Sequence, residues 1–127
     1  MIRCVRLWTG DDDSSHFQTG RLDMTPGRNA DQVSAVMAVS HVTVEETATG
    51  GALAWHTAPV RQLVVTLAGT LRFSTRDGKQ FTLRPGDVLL AEDTAGSGHQ
   101  WRLEGTDPWR RMYVVLAENT EVPFVAD

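Results

Sequence analysis

Residues 50–73 read GGALAWHTAPVRQLVVTLAGTLRF, and residues 77–103 read DGKQFTLRPGDVLLAEDTAGSGHQWRL. Both stretches are short runs of strand-forming residues cut by tight-turn signals. Asp77-Gly78 suits a hairpin, because its central positions need a left-handed backbone that Asp and Gly adopt at low cost. Pro85-Gly86-Asp87 turns the chain again, into Val88–Ala91. Side chains alternate along a strand, so Gln62, Val64 and Thr66 share one face of a strand over 61–67. Leu63, Val65 and Leu67 share the other. That second row is apolar as well, so another strand of the chain or a second subunit must cover it. The polar residues able to carry chemistry, His56, Gln62 and His99, fall near strand ends.

The flanks continue the pattern. Ile2–Trp8 reads as a first strand, ended by Gly10 and the run Asp11-Asp12-Asp13-Ser14-Ser15. That run lacks the spaced ligands and the glycine of a calcium loop, so it reads as a solvated turn with His16 at the surface. Phe17–Met24 is a weaker strand. Gln32–Glu46 is rich in β-branched residues, with Val33, Ala35, Met37, Val39 and His41 on one face and Val36, Ala38, Val42 and Val44 on the other. Two apolar faces predict a strand covered on both sides. His41 on such a face is either a hydrogen-bonded, half-exposed histidine or a lumen ligand or base. His99–Leu103 and Trp109–Ala117 complete the strands, with Arg110-Arg111 read as solvated strand surface. The tail over 119–127 adds an edge strand or stays loose. No segment keeps a helical period, and closely spaced turns predict an all-β sandwich or barrel. A chain of 127 residues makes one domain of it.

Composition narrows the function. A net charge of −4 leaves no basic face for nucleic acid. No apolar run approaches the ~20 residues that cross a bilayer. The opening MIRCVRLWTGDDD lacks the apolar stretch and cleavage site of an export signal, so a cytoplasmic location is expected. Cys4 is the only cysteine, which excludes an intrachain disulfide and a thiolate zinc site. Its place in a strand-like run predicts a buried, inert thiol.

Two motifs resemble those of the cupin superfamily, whose members are small jelly-roll barrels. The first cupin motif runs glycine, five residues, His-x-His, three or four residues, glutamate, six residues, glycine. Gly50, His56, Gln62 and Gly69 stand at those spacings. Ala58 replaces the second histidine and Gln62 the glutamate. The second motif runs from a glycine through a Pro-Gly turn to a histidine. Gly86 and His99 match it, with two extra loop residues, Glu92 in place of the usual proline and Leu103 in place of the asparagine.

The resemblance implies a cupin-like, double-stranded β-helix barrel with a site in its lumen. Metal-binding cupins place three imidazoles and one carboxylate there, a set suited to Fe, Mn, Ni or Zn. Here His56, Gln62 and His99 are the candidate ligands, with Glu92 or Asp93 able to restore the missing negative charge. Without one of those carboxylates, a buried divalent cation lacks an anionic partner and its binding is disfavoured. A histidine oriented by Asp93, either His56 or His99, is instead a usable acid/base pair. Met37, His41, Phe73 and Trp101 are candidate pocket residues, although Met37, Phe73 and Trp101 equally suit ordinary core. Gly96-Ser97-Gly98 reads as a flexible lip. The expected function is a barrel that binds a small organic ligand without metal. The alternatives are a metal-dependent oxygenase or isomerase and a metal-free His/Asp proton-transfer enzyme. The doubly apolar strands predict a homodimer.

Overall fold

The computed structural model describes all residues, Met1–Asp127, and contains strands and turns but no helix. No helix is therefore available to cross a membrane. In chain order the strands are β1 (Arg3–Thr9), β2 (Ser15–Leu22), β3 (Thr25–Pro26), β4 (Gln32–Val33), β5 (Val39–Thr47), β6 (Ala52–His56) and β7 (Gln62–Ala68). They continue as β8 (Thr70–Thr75), β9 (Gln80–Leu83), β10 (Val88–Glu92), β11 (His99–Glu104), β12 (Trp109–Leu116) and β13 (Phe124–Ala126).

A seven-stranded sheet in the order β13-β2-β1-β10-β7-β12-β5 faces a four-stranded sheet, β6-β11-β8-β9. Only β1 and β10 run parallel; the other neighbours are antiparallel. The β8–β9 hairpin turns at Asp77-Gly78 as its residues require: Gly78 takes a φ of 83°, and Thr75 donates its hydroxyl to Asp77 Oδ1 at 2.6 Å. Two apolar clusters result. The inner one, between the sheets, includes Val5, Leu7, Phe73, Phe81, Trp101 and Trp109. Phe73 stacks on Phe81 with ring centroids 4.9 Å apart, within the range that aromatic pairs prefer.

The second cluster, on the outer side of the large sheet, joins Cys4, Leu63, Val88, Leu90 and Leu116. Met24, Met37 and Val122 pack over it from the segments outside the ladder. The second face of β7 is therefore covered by the chain itself at Leu63, but the cover ends before Leu67, which is 51% exposed. Cys4 is fully buried, and burial pushes its thiol up to about 12. The tail adds β13 to the free edge of β2.

Three expectations need correction. Gln32–Glu46 is not one strand: it breaks into β4 and β5. Nor is β5 covered on both sides, because it is an edge strand exposed along all but its last residue. β-branched residues favour extended backbone whether or not anything covers them, so an apolar run does not by itself report burial. Arg110 and Arg111 are not both solvated. Successive strand residues point to opposite faces; Arg110 pairs with Glu46 at the surface, while Arg111 is 4% exposed and turned inward.

Candidate functional site

A cavity of ≈ 450 Å³ lies between the sheets. Its walls come from the inner faces of β7, β11 and β12, with the edge strands β5 and β6 on either side. His56, Gln62, His99, His41, Phe73 and Trp101 all line it. The first-motif residues His56, Ala58 and Gln62 share this wall although the loop between β6 and β7, which contains Pro59, interrupts the strand. The ladder registers His56 opposite His99 and Gln62 opposite Ala91.

His99 and Asp93 form the most deeply buried polar pair in the site. His99 Nδ1 meets Asp93 Oδ2 at 2.5 Å, and the Ser15 hydroxyl donates to the same oxygen at 2.6 Å. Asp93 is fully buried and His99 is 4% exposed. A carboxylate accepts from Nδ1–H, so Nε2 is the histidine nitrogen left for the cavity. The loop bearing Asp93 is tied to the β6–β7 loop, where Ala58 N donates to Asp93 O at 3.0 Å. Asp93 Oδ1 has no hydrogen-bond partner.

His56 stands beside this pair, with its ring centroid 4.4 Å from that of His99. Its Nδ1 lies 2.7 Å from Ala54 O; a carbonyl only accepts, so Nδ1 carries the proton and Nε2 holds a lone pair. Burial lowers the His56 pKa, aided by the neighbouring His99 charge and opposed by the Ala54 carbonyl and by Asp93. Near neutral pH His56 is an uncharged acceptor.

Gly98 sets the approach of the two histidines. It adopts a φ of +75°, and a Cβ there would lie 2.2 Å from His56 O. Nor is Gly96-Ser97-Gly98 a loose lip: Ser97 N donates to Asp13 O at 2.9 Å, and a Cβ on Gly96 would lie 2.3 Å from Asp13 O. This turn packs against the β1–β2 connection, outside the cavity wall.

Met37 and Glu92 do not join the site. The register between β5 and β12 shifts between Leu116 and Val115, which pair with Val39 and His41. That irregularity breaks the alternation expected to put Met37 and His41 on one face, and Met37 packs on the outer cluster instead. Glu92 follows cavity-lining Ala91 and so faces away; its two oxygens accept from Arg6 Nε and Arg61 Nε, each at 2.6 Å. Sequence reasoning missed Arg111, Tyr113 and Trp109, which line the cavity from alternate positions of β12. The signal was present: a cation between two aromatic residues at spacing two.

The donor set does not fit the metal that cupins often hold. Asp93 meets His99 through Nδ1 rather than facing the lumen, Glu92 is turned away, and Gln62 is neutral. No group of three His, Cys, Asp or Glu side chains is arranged to hold an ion.

A double-stranded β-helix barrel with a polar cluster at one end of an apolar lumen is the class that fold and site define. The cupin domain family matches residues 41–115, more than half of the chain, and the protein belongs to that family. Comparison with curated proteins gave no match. Among solved structures, an uncharacterized conserved protein with a double-stranded beta-helix domain from Klebsiella pneumoniae is similar, at 20% identity and a TM-score of 0.49, over 72% of this chain and 80% of that one. A conserved protein of unknown function from Streptococcus pyogenes matches at 18% identity and a TM-score of 0.44, over 61% and 64%. A protein from Neisseria meningitidis matches at 11% identity and a TM-score of 0.45, over 76% and 83%.

Proposed function

We propose that the barrel binds a small organic ligand in its lumen without metal, with Nε2 of His99 as a polar contact. One observation carries this reading: a fully buried carboxylate fixes Nδ1 of a buried histidine whose ring lines an otherwise largely apolar cavity. Ligand sites combine apolar walls with a few placed polar groups, and ≈ 450 Å³ suits a molecule of modest size. Thermal-shift screening against small acids and sugars tests it. Hits should persist with a chelator present and weaken about tenfold in His99→Ala, the cost of one good hydrogen bond to a charged or strongly polar group. Elemental analysis of untagged protein should show metal well below one equivalent. Stoichiometric metal lost in both His56→Ala and His99→Ala would overturn the metal-free reading.

A second reading is favoured by the short His99–Asp93 contact. A carboxylate that fixes Nδ1 of an imidazole orients its other nitrogen for use as a general base. His56, neutral and adjacent, could accept or return the proton. In this reading the barrel moves a proton on its bound ligand, as an isomerase or epimerase does. Ligand C–H exchange in deuterated water, lost in Asp93→Asn while binding persists, separates this activity from simple binding.

We also infer a homodimer through β5. Antiparallel pairing of two copies about Thr43 sets Val42 opposite Val44 and His41 opposite Glu45. This joins apolar to apolar, a cross-strand pair that stabilises sheets. It also gives the unpaired edge of β5 a partner.

A further inference from the structure

Arg111 is the only arginine or lysine lining the cavity, and neither reading of the histidine cluster uses it. Its guanidinium lies 3.8 Å from the centre of the Trp109 ring. Nε donates to Tyr113 Oη at 3.2 Å. Nη1 donates to Thr47 Oγ1 at 2.7 Å and to Trp109 O at 3.4 Å. Nη2 donates to Glu45 Oε2 at 2.9 Å. A guanidinium carries five N–H donors, so one N–H on Nη2 remains without an acceptor.

The charge is as incompletely matched as the hydrogen bonds. The Arg111 side chain is 5% exposed, but its only ionic partner, Glu45, is 56% exposed and belongs to the edge strand β5. A buried cation gains most from an equally desolvated anion. Glu45, solvated at the rim, is a weak partner that a better-placed carboxylate can displace. The wall beside Arg111 is aromatic, with Phe73, Trp101, Trp109 and Tyr113 all facing the lumen.

The two polar ends are well separated. Arg111 pairs with Thr66, and Val115 pairs with Gln62, near the histidines. Four residue steps along β12 separate those levels, ~13 Å at the usual rise.

We propose that the ligand is a small planar carboxylate. Its anionic end sits on Nη2 of Arg111 and its flat body lies against Trp101 and Phe73, so that the far end points toward His99. This rests on the lumen being the ligand site, and adds the ligand's charge, shape and orientation.

Benzoate and benzamide, alike in shape and different in charge, are the probes, followed by calorimetry and tryptophan fluorescence. Benzoate should bind at least about tenfold more tightly than benzamide, the value of one charge-assisted hydrogen bond. Arg111→Gln should remove that preference, and Glu45→Gln should tighten benzoate several-fold while leaving benzamide unchanged. Glu45 is at the surface, so its variant remains informative if Arg111→Gln does not fold. Equal binding of the two probes would overturn the assignment of Arg111 while leaving the lumen reading intact. A benzoate preference that survives Arg111→Gln, or no gain in Glu45→Gln, would overturn it too. Failure of both probes to bind at millimolar concentration would remove the lumen reading and this proposal together.

Discussion

His56 carries a pH dependence whose sign follows from its surroundings. Burial lowers its pKa in the folded barrel, with the His99 charge acting the same way, while the unfolded chain keeps a value near ~6.5. Between those two values the unfolded chain binds the extra proton, so stability rises with pH across that window and is lost on acidification through it. His99 and Asp93 stand beside the same ring, so the contribution of His56 is read as a difference. The fall in Tm from about pH 7.5 to about pH 5 should be smaller in His56→Gln than in the parent; equal falls would refute the assignment. Individual residues were also where the sequence was hardest to read. Arg110 and Arg111 are chemically identical neighbours, and only the phase of β12 decides which meets water. Asp93 was legible as a carboxylate able to orient a histidine, but His56 and His99 both stood open as its partner until the fold brought His99 onto it.

At the scale of elements, the turn before β11 governs the site. Gly98→Ala forces a side chain into positive φ and places its Cβ against the His56 carbonyl. A strained residue costs about 1–3 kcal/mol, and relief requires moving either His56 or His99. Gly78→Ala meets a similar φ of +83° but open space, so only the left-handed backbone cost of about 1–2 kcal/mol, with no clash added, is expected there. Denaturant midpoints should rank the two variants in that order, and ligand affinity should fall only in Gly98→Ala. Strand positions were largely legible from turn chemistry and alternation, which is why β7 to β11 lie close to where the quoted stretches put them. The segment over 32–46 was not, because its irregular register and edge position leave no mark in a run of β-branched residues. The same irregularity moved Met37 away from His41.

At the scale of the whole molecule, the barrel leaves one flank apolar. Val42 and Val44 on β5 are 49% and 69% exposed, and Leu67 on the neighbouring sheet face is 51% exposed. Light scattering at micromolar concentration should give twice the chain mass, and Val44→Lys, which sets a charge opposite Val42 of the second copy, should return it to the chain mass. A parent protein that scatters as a single chain would end the dimer reading.

The parallel contact between β1 and β10 sets the order in which this molecule can be made. Cys4 lies across from Val88 and Trp8 across from Glu92, so β1, near the middle of the large sheet, cannot gain its second neighbour until most of the chain exists. Closing so large a loop makes folding slow. During synthesis β1 can pair early only with β2, and that hairpin waits with a bare flank until residue 92 has left the ribosome.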